Sequence, residues 1–456
     1  MTMWPVLFMI PAVLVIQRGI HPRRVGLNPL LGLLTAWALV LCLYFVNPLN
    51  FDHVHTATWF LIVGALASFT VGYAAMVGPS LRGSHPLKTL RISPLTQGSA
   101  PYQRAHRLWL GATIWFAGFF LLFAKFLVTR FGLNPIHDLL PLREYLGSGQ
   151  NAPIGFYYFY AAELLVPLGI LMWDVVEPRR VRYLVVSAFA FGSLLLTSGR
   201  TNAITSILLT AVALLIRRGD TRIKPRVLLV TGGIFVLGLG IIIGIGNIEG
   251  KTFANSSILT YVTSTTWLPP QLTLPYVEFV GPIPALDQVV LGKPPLLSST
   301  PLPDTHNQTF RPLYQLASIV DRNVKVPSNI QPFRSIPEPF NVYTALGPLW
   351  LDLGPIGTMF FMFGFGLICG KAYALWLRTP SLATLLLVAL ATTVAIVSVG
   401  DLRLDDLSVW VQGGALLILF LSDRSAKKPA RRPSHLYGTR MTPADHLTGY
   451  VKQPLT

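Results

Sequence analysis

The sequence predicts an all-α fold, a polytopic membrane bundle of about eleven transmembrane helices carrying one long loop on its non-cytoplasmic side. Three observations predict it. Of the 456 residues, 52% are hydrophobic and only 12% charged, too little polar surface for a soluble globule of this size. The apolar residues gather into runs of roughly 17 to 25 residues, the length a helix needs to cross a hydrocarbon core in which it must satisfy its own backbone hydrogen bonds. The basic residues, finally, gather in alternate connectors between those runs.

Taken in order, the runs span about 2–17, 28–46, 57–78, 108–129, 155–174, 183–199, 201–216, 227–246, 354–377, 381–400 and 407–422. The sixth and seventh meet at Thr197, Ser198, Gly199, Arg200 and Thr201, which makes either a tight helical hairpin or one long broken helix. Run one has no basic leader and no small-residue cleavage site, so it reads as a retained span and not as a signal peptide. Residues 1–422 thus form one transmembrane unit, within which 247–343 is the long extracytoplasmic loop. The remainder, 423–456, is a basic, polar, proline-containing cytoplasmic tail whose composition predicts disorder and whose Lys427, Lys428, Arg431 and Arg432 suit a membrane surface.

The formal charge of +17 raises the question of nucleic acid, and the distribution of charge answers it. Most of the 36 basic residues follow odd-numbered runs: Arg18, Arg23 and Arg24 after the first, Arg82 to Arg107 after the third, Arg179, Arg180 and Arg182 after the fifth. Arg217 to Arg226 follow the seventh, Lys371 and Arg378 end the ninth, and the tail follows the eleventh. This is the positive-inside bias of a protein in the cytoplasmic membrane with its N-terminus outside and its C-terminus in the cytoplasm, not a phosphate-binding surface. Cys42 and Cys369 both fall inside apolar runs, so neither a disulfide framework nor a cysteine metal site is expected.

The loop 247–343 is too long for a turn and too apolar for a free linker. Its proline breaks and short apolar stretches, such as Trp267-Leu-Pro-Pro270 and Leu272-Thr-Leu-Pro-Tyr276, predict short helices and re-entrant pieces packed back on the bundle. Charged residues gather at the same face. Asp138, Arg143 and Glu144 follow run four, Arg200 sits in the hairpin, and Asp401, Arg403, Asp405 and Asp406 lie between runs ten and eleven. Asp304, His306, Arg311, Arg334, Glu338 and Asp352 belong to the long loop or its junction with run nine. A single interfacial arginine can simply snorkel; several guanidiniums above one bundle make a receptor for phosphate or diphosphate, because each offers a planar, permanently charged fork. Within the membrane, Lys125 can snorkel outward, whereas Glu163 is expected to face a polar cavity, as a proton relay or in a hydrogen bond to a neighbouring helix. Asp52-His53-Val54-His55 could offer two imidazoles to a metal, but no second cluster completes the set, so no metal is expected. A Walker A loop, a dinucleotide fingerprint and a Gly-x-Ser-x-Gly elbow are all lacking.

Two stretches resemble a known family. Leu196-Thr-Ser-Gly-Arg200-Thr-Asn-Ala203 has Gly-Arg at the tip of a hairpin. The other is Asn341-Val-Tyr-Thr344-Ala-Leu-Gly-Pro348-Leu-Trp-Leu-Asp352-Leu-Gly-Pro-Ile-Gly357, followed by Phe363-Gly-Phe-Gly-Leu-Ile-Cys-Gly370. Together with the span count and the large loop before run nine, they resemble the oligosaccharide repeat-unit polymerases, the Wzy-type O-antigen and capsule polymerases of bacteria. The motifs cover some forty residues. The resemblance implies a glycosyltransferase that moves a growing glycan from one undecaprenyl diphosphate carrier onto a sugar on another, with no cofactor or required metal. A flippase and a chain-length regulator are the protein partners it implies. Arg200 is then expected to bind diphosphate; Arg143, Arg311 and Arg403 are candidates by location, and Asp304, His306 and Glu338 are candidate bases by position in the loop. Asp352 with Gly354 reads as architecture at the start of run nine. An O-antigen-ligase-like enzyme would use the same donor and the same kind of arginine site. Another polyprenyl-linked glycosyltransferase of the metal-dependent type would ordinarily have an acidic pair in the first outer loop, where Asp52 stands alone. A transporter of polysaccharide or lipid would commonly show internal repeats and midplane charges, and neither is evident.

Overall fold

The computed structural model describes residues 15, 27–82, 92, 94–132, 154–195, 200–218, 240, 270–294, 307–321, 323–328, 331–332, 334–336 and 339–425. In chain order its elements are α1 (Pro29–Val46), α2 (Thr56–Arg82), β1 (Leu95–Thr96), α3 (Ala100–Phe131), a 3-10 turn (Ile154–Tyr157) leading into α4 (Tyr158–Val175), β2 (Val176–Glu177), α5 (Val181–Leu195) and α6 (Arg200–Arg218). There follow α7 (Pro270–Val280), α8 (Pro282–Val290), a 3-10 turn (Gln308–Phe310), α9 (Arg311–Val320), β3 (Arg334–Ser335), β4 (Pro339–Phe340), α10 (Leu346–Arg378), α11 (Leu382–Val397), a 3-10 turn (Arg403–Asp405) and α12 (Leu407–Ser425). Among the described residues the fold is all-α but for two pairs of two-residue strands.

Helices occupy apolar runs two to seven and nine to eleven, and five stretches among the described residues are long and apolar enough to cross a membrane: Pro29–Val46, Thr56–Pro79, Ala100–Phe131, Ile154–Val175 and Leu346–Arg378. The chain is thus an α-helical membrane protein. Runs one and eight fall outside the described residues, apart from Val15 and Gly240. Runs six and seven form two helices, α5 ending at Leu195 and α6 starting at Arg200, and the join between them lies outside the described residues. The helix ends follow local chemistry. Asn28 caps α1 by accepting from the Leu31 N–H, Pro29 supplies the pre-set φ of a first turn, and Ser99 caps α3 in the same way.

Burial sorts the helices into layers. The α11 helix, apolar all round, lies at the centre against α1, α6, α10 and α12, and α4 is likewise almost wholly buried between α3, α5 and α6. By contrast α3 buries only a narrow stripe and presents Leu110, Ile114, Leu121 and Leu122 outward, as a helix facing lipid should. The α2–α10 pair packs backbone to backbone. A Cβ on Gly366 would strike the Phe69 carbonyl, one on Gly370 the Tyr73 carbonyl, and one on Gly72 the Phe363 carbonyl, so the Gly366/Gly370 spacing is a small-residue contact of the kind membrane helices use.

The described parts of the long segment do form short helices, and they pack at one end of the bundle. Tyr276 of α7 donates to the Leu43 carbonyl near the end of α1. Asp287 of α8 accepts from the His55 N–H and the Thr58 hydroxyl at the start of α2. Asp352 of α10 accepts from the N–H groups of Asn307 and Thr309, just before the bend at Gly354, whose φ of 68° divides α10 in two. Pro355 then opens the longer segment. The opposite end is tied by Arg104 to Asp423 at 2.6 Å, by Arg217 to Asp174, and by the parallel β1–β2 pair.

Candidate functional site

The most polar place in the interior lies at the end of the bundle that carries α7 to α9. Glu163 sits in the second turn of α4, 2% exposed, and Arg403, 5% exposed, reaches it from the turn between α11 and α12. Arg403 Nη2 stands 3.4 Å from Glu163 Oε1, and Nη1 stands 3.2 Å from Asp406 Oδ2. Both terminal nitrogens of Arg403 also donate to Asn202 Oδ1 of α6 at 3.3 Å. Gln412 of α12 donates to the second Glu163 oxygen at 2.7 Å. One carboxylate, one guanidinium and two amides thereby tie α4, α6, α12 and the 403–405 turn into a hub. Taking both charges out of water is tolerable only because each meets an opposite charge and several hydrogen bonds.

The hub is richer in acid than in base. Asp401 and Asp405, partly exposed, lie close enough to Arg403 and to Arg311 for both guanidiniums to act on their ionisation. Burial nevertheless pushes both carboxyls up, that of Asp405 well above the usual carboxylate range, and each one's charge falls on its acidic neighbours. For Arg403 burial works against the charge, and Asp406, Glu163 and Asp401 more than offset it, so its pKa moves up from an already high value. Arg403 Nε is buried without a hydrogen-bond partner among the described residues. Beside it, Asp401, Arg403 and Ser398 line a small cavity whose other wall is Phe361, Met362 and Phe365 of α10.

Of the residues expected at this face, Arg311 and Arg403 come together with the acidic turn, and Arg200 opens α6 two residues before Asn202. Arg311 is half-exposed and donates from Nε to the Pro327 carbonyl. Arg143, Asp304, His306 and Glu338 lie outside the described residues, as do Asp138 and Glu144. Arg403 differs from its expected part in one respect: it is buried, and Glu163 and Asp406 already answer its charge. Glu163 takes a hydrogen bond from a neighbouring helix, through Gln412. Arg334, also at this face, is buried and donates to the Tyr343 hydroxyl. The Asp52-His53-Val54-His55 stretch is a turn held by Tyr44 and Asn47; its His55 meets Asp287, and no group of three metal-ligating residues forms among the described residues.

Three partners were not singled out by the sequence. Gln412 has a signal, an amide inside apolar run eleven, where an unpaired polar group is costly. Asn202 lies within the Leu196 to Ala203 motif without standing out from it. Asp287 is a lone acid in a short apolar stretch, and only the fold brings it to His55.

The fold and the hub together define an α-helical membrane protein with a buried, charged centre at one end. Compared with family models, with curated proteins and with solved structures, the chain matches none.

Proposed function

We propose that this chain is a membrane glycosyltransferase that polymerises oligosaccharide repeat units carried on undecaprenyl diphosphate, working at the outer face of the cytoplasmic membrane. One observation carries the proposal: Arg311 and Arg403 act on the acidic turn 401–406 at one end of the bundle, where α6 opens at Arg200 two residues before Asn202, which accepts from Arg403, the end that the charge pattern assigns to the outside. In this reading Arg200 and Arg311 meet the diphosphate, while Arg403, held by Glu163 and Asp406, positions the turn. The acceptor hydroxyl oxygen attacks the anomeric carbon of the donor glycan. Its bond to the diphosphate oxygen breaks, and the lipid diphosphate leaves with the electron pair. The guanidiniums meet the charge that develops on it, more strongly in the transition state than in the bound donor. The hydroxyl proton passes to a carboxylate or imidazole, for which Asp304, His306 and Glu338 are the candidates in the long loop. A ligase would run the same chemistry onto a terminal acceptor.

Cells lacking the gene, complemented with wild type, Arg200→Ala or Arg311→Ala, test the reading through their lipid-linked and surface glycans. Single repeat units should accumulate on the carrier and long chains disappear, with neither variant restoring them at normal membrane abundance. Long chains that stay on the carrier would identify a ligase. An unchanged profile in the deletion would refute glycosyl transfer altogether and favour transport.

A further inference from the structure

At the end of the bundle opposite the hub, α3 and α5 both pack on α4, and their aromatic rings meet. Tyr183 of α5 meets His106 and Trp109 of α3 edge to face, with centroids 6.2 and 4.9 Å away, and its hydroxyl lies 3.3 Å from that of Tyr102. Further along, Phe189 of α5 meets Phe116 and Phe120 of α3. Along this seam each helix exposes apolar side chains at helical spacing: Leu110, Ile114 and Leu121 on α3, Val185 and Phe189 on α5. The periodicity continues one turn towards the helix start in both cases, and there it reaches a cation, Arg107 on α3 and Arg182 on α5, both exposed. Neither forms an ion pair among the described residues. Arg182 instead lies over the rings of Trp109 and Tyr183, 5.8 and 5.2 Å from their centroids, and donates to the Tyr183 hydroxyl. The indole N–H of Trp109, a residue 5% exposed, has no hydrogen-bond partner among the described residues.

We propose that this α3–α5 groove is a binding site for one anionic phospholipid, its headgroup phosphate on Arg182 and Arg107 and its acyl chains along the two apolar stripes. Charge complementarity selects the occupant. Two guanidiniums without an ion pair among the described residues, standing at the same end of two apolar stripes, match a molecule that is anionic at one end and apolar below it. The aromatic rings beside Arg182 hold its guanidinium in place without neutralising it, so the charge stays available to phosphate oxygens. A free phosphate would gain nothing from the stripes, and a zwitterionic lipid would bring its own cation against the arginines. The basic connectors at this end put the site in the cytoplasmic leaflet, where anionic headgroups lie. The site is independent of the glycosyl-transfer reading.

The test counts lipids retained on the purified full chain by native mass spectrometry, after equilibration with equal amounts of palmitoyl-oleoyl phosphatidylglycerol and phosphatidylcholine. Wild type should keep one phosphatidylglycerol in preference. Each of Arg107→Ala and Arg182→Ala should weaken that preference by roughly fivefold, and Arg182→Lys, which keeps the charge but not the guanidinium, by less. Lys371→Ala, an exposed cation near the same end of α10, should leave it unchanged, and excess inorganic phosphate should not displace the lipid. If the preference survives in the Arg107→Ala, Arg182→Ala double variant, or Lys371→Ala weakens it equally, net charge alone is at work and the site is refuted. Displacement by phosphate would refute the apolar half of the proposal. Should Arg182→Ala fail to give monodisperse protein, Arg107→Ala and Arg182→Lys carry the test.

Discussion

Glu163 and Arg403 are 240 positions apart in the chain and almost wholly buried against each other. Replacing Glu163 with Ala removes one of the two carboxylates that pair with the buried Arg403 guanidinium, leaving Asp406 and the Asn202 amide, and such a loss costs about 3 kcal/mol or more. Glu163→Gln, which can still bond Gln412 and Arg403, should cost less. Pairing Glu163→Gln with Arg403→Met should cost clearly less than the two single changes added together, because neither charge is then stranded. Thermal unfolding of wild type and the four variants in one detergent reads all three expectations, and additive losses would mean that the two residues do not share one network. Asp405 carries a pH prediction. Burial first, then the charge of Asp401, hold its carboxyl well above the usual range, with Arg311 offsetting part of the rise. The folded chain therefore keeps a proton that the unfolded chain releases near pH 4. The stability this gives is complete below that pH and is lost as pH rises through the raised value. Unfolding midpoints should accordingly fall across that window in wild type, whereas Asp405→Asn should show a shallower fall and a higher midpoint at its alkaline end.

Among the elements, the α2–α10 pair depends on the absence of side chains. The Phe69 carbonyl oxygen lies where a Cβ on Gly366 would go, and a backbone atom cannot rotate aside. Gly366→Ala should therefore part the helices at a cost of about 1 to 3 kcal/mol. Gly364, two residues earlier on the same helix, faces open space, and Gly364→Ala should be neutral or stabilise by up to about 1 kcal/mol through helix propensity. The difference between these two alanines in a thermal melt tests the packing; equal midpoints would contradict it. Helices were the legible part of the sequence, since an apolar run of membrane length has few other ways to satisfy its backbone. Glycines show the limit of that legibility. The Phe363 to Gly370 stretch stands out as glycine-rich, but the sequence does not say which of its glycines meets a neighbour, because that depends on the partner helix. The hub was legible in the same partial sense. The charges of the 401–406 turn and Glu163 are visible as residues in costly places, whereas their meeting depends on α4, α6 and α12 crossing at one height, which no local pattern encodes.

For the molecule as a whole, the two ends differ in chemistry. One end carries ion pairs and stacked arginines between short connectors, with Arg104 on Asp423, Arg217 on Asp174 and Arg179 over Trp173. The other carries the long segment, clasped by Asp287 and Asp352. Positive-inside bias leads to the expectation that the first end faces the cytoplasm. In a Cys42→Ala, Cys369→Ala background, a single cysteine at His53 should react with an impermeant maleimide on intact cells, and one at Gln97 only after permeabilisation. The reverse pattern would invert the protein and remove the proposed chemistry from the outer face. The central helix adds a constraint of its own. With 16 residues α11 rises about 24 Å, against a hydrocarbon core of about 30 Å, and neighbours surround it, so the bilayer cannot thin to meet it. The polar turn from Ser398 to Asp406 hangs from this short post. The helix at the centre is thus about 6 Å shorter than the core is thick, so the polar turn cannot reach one headgroup layer while Ser381, at the other end of α11, lies at the opposite one.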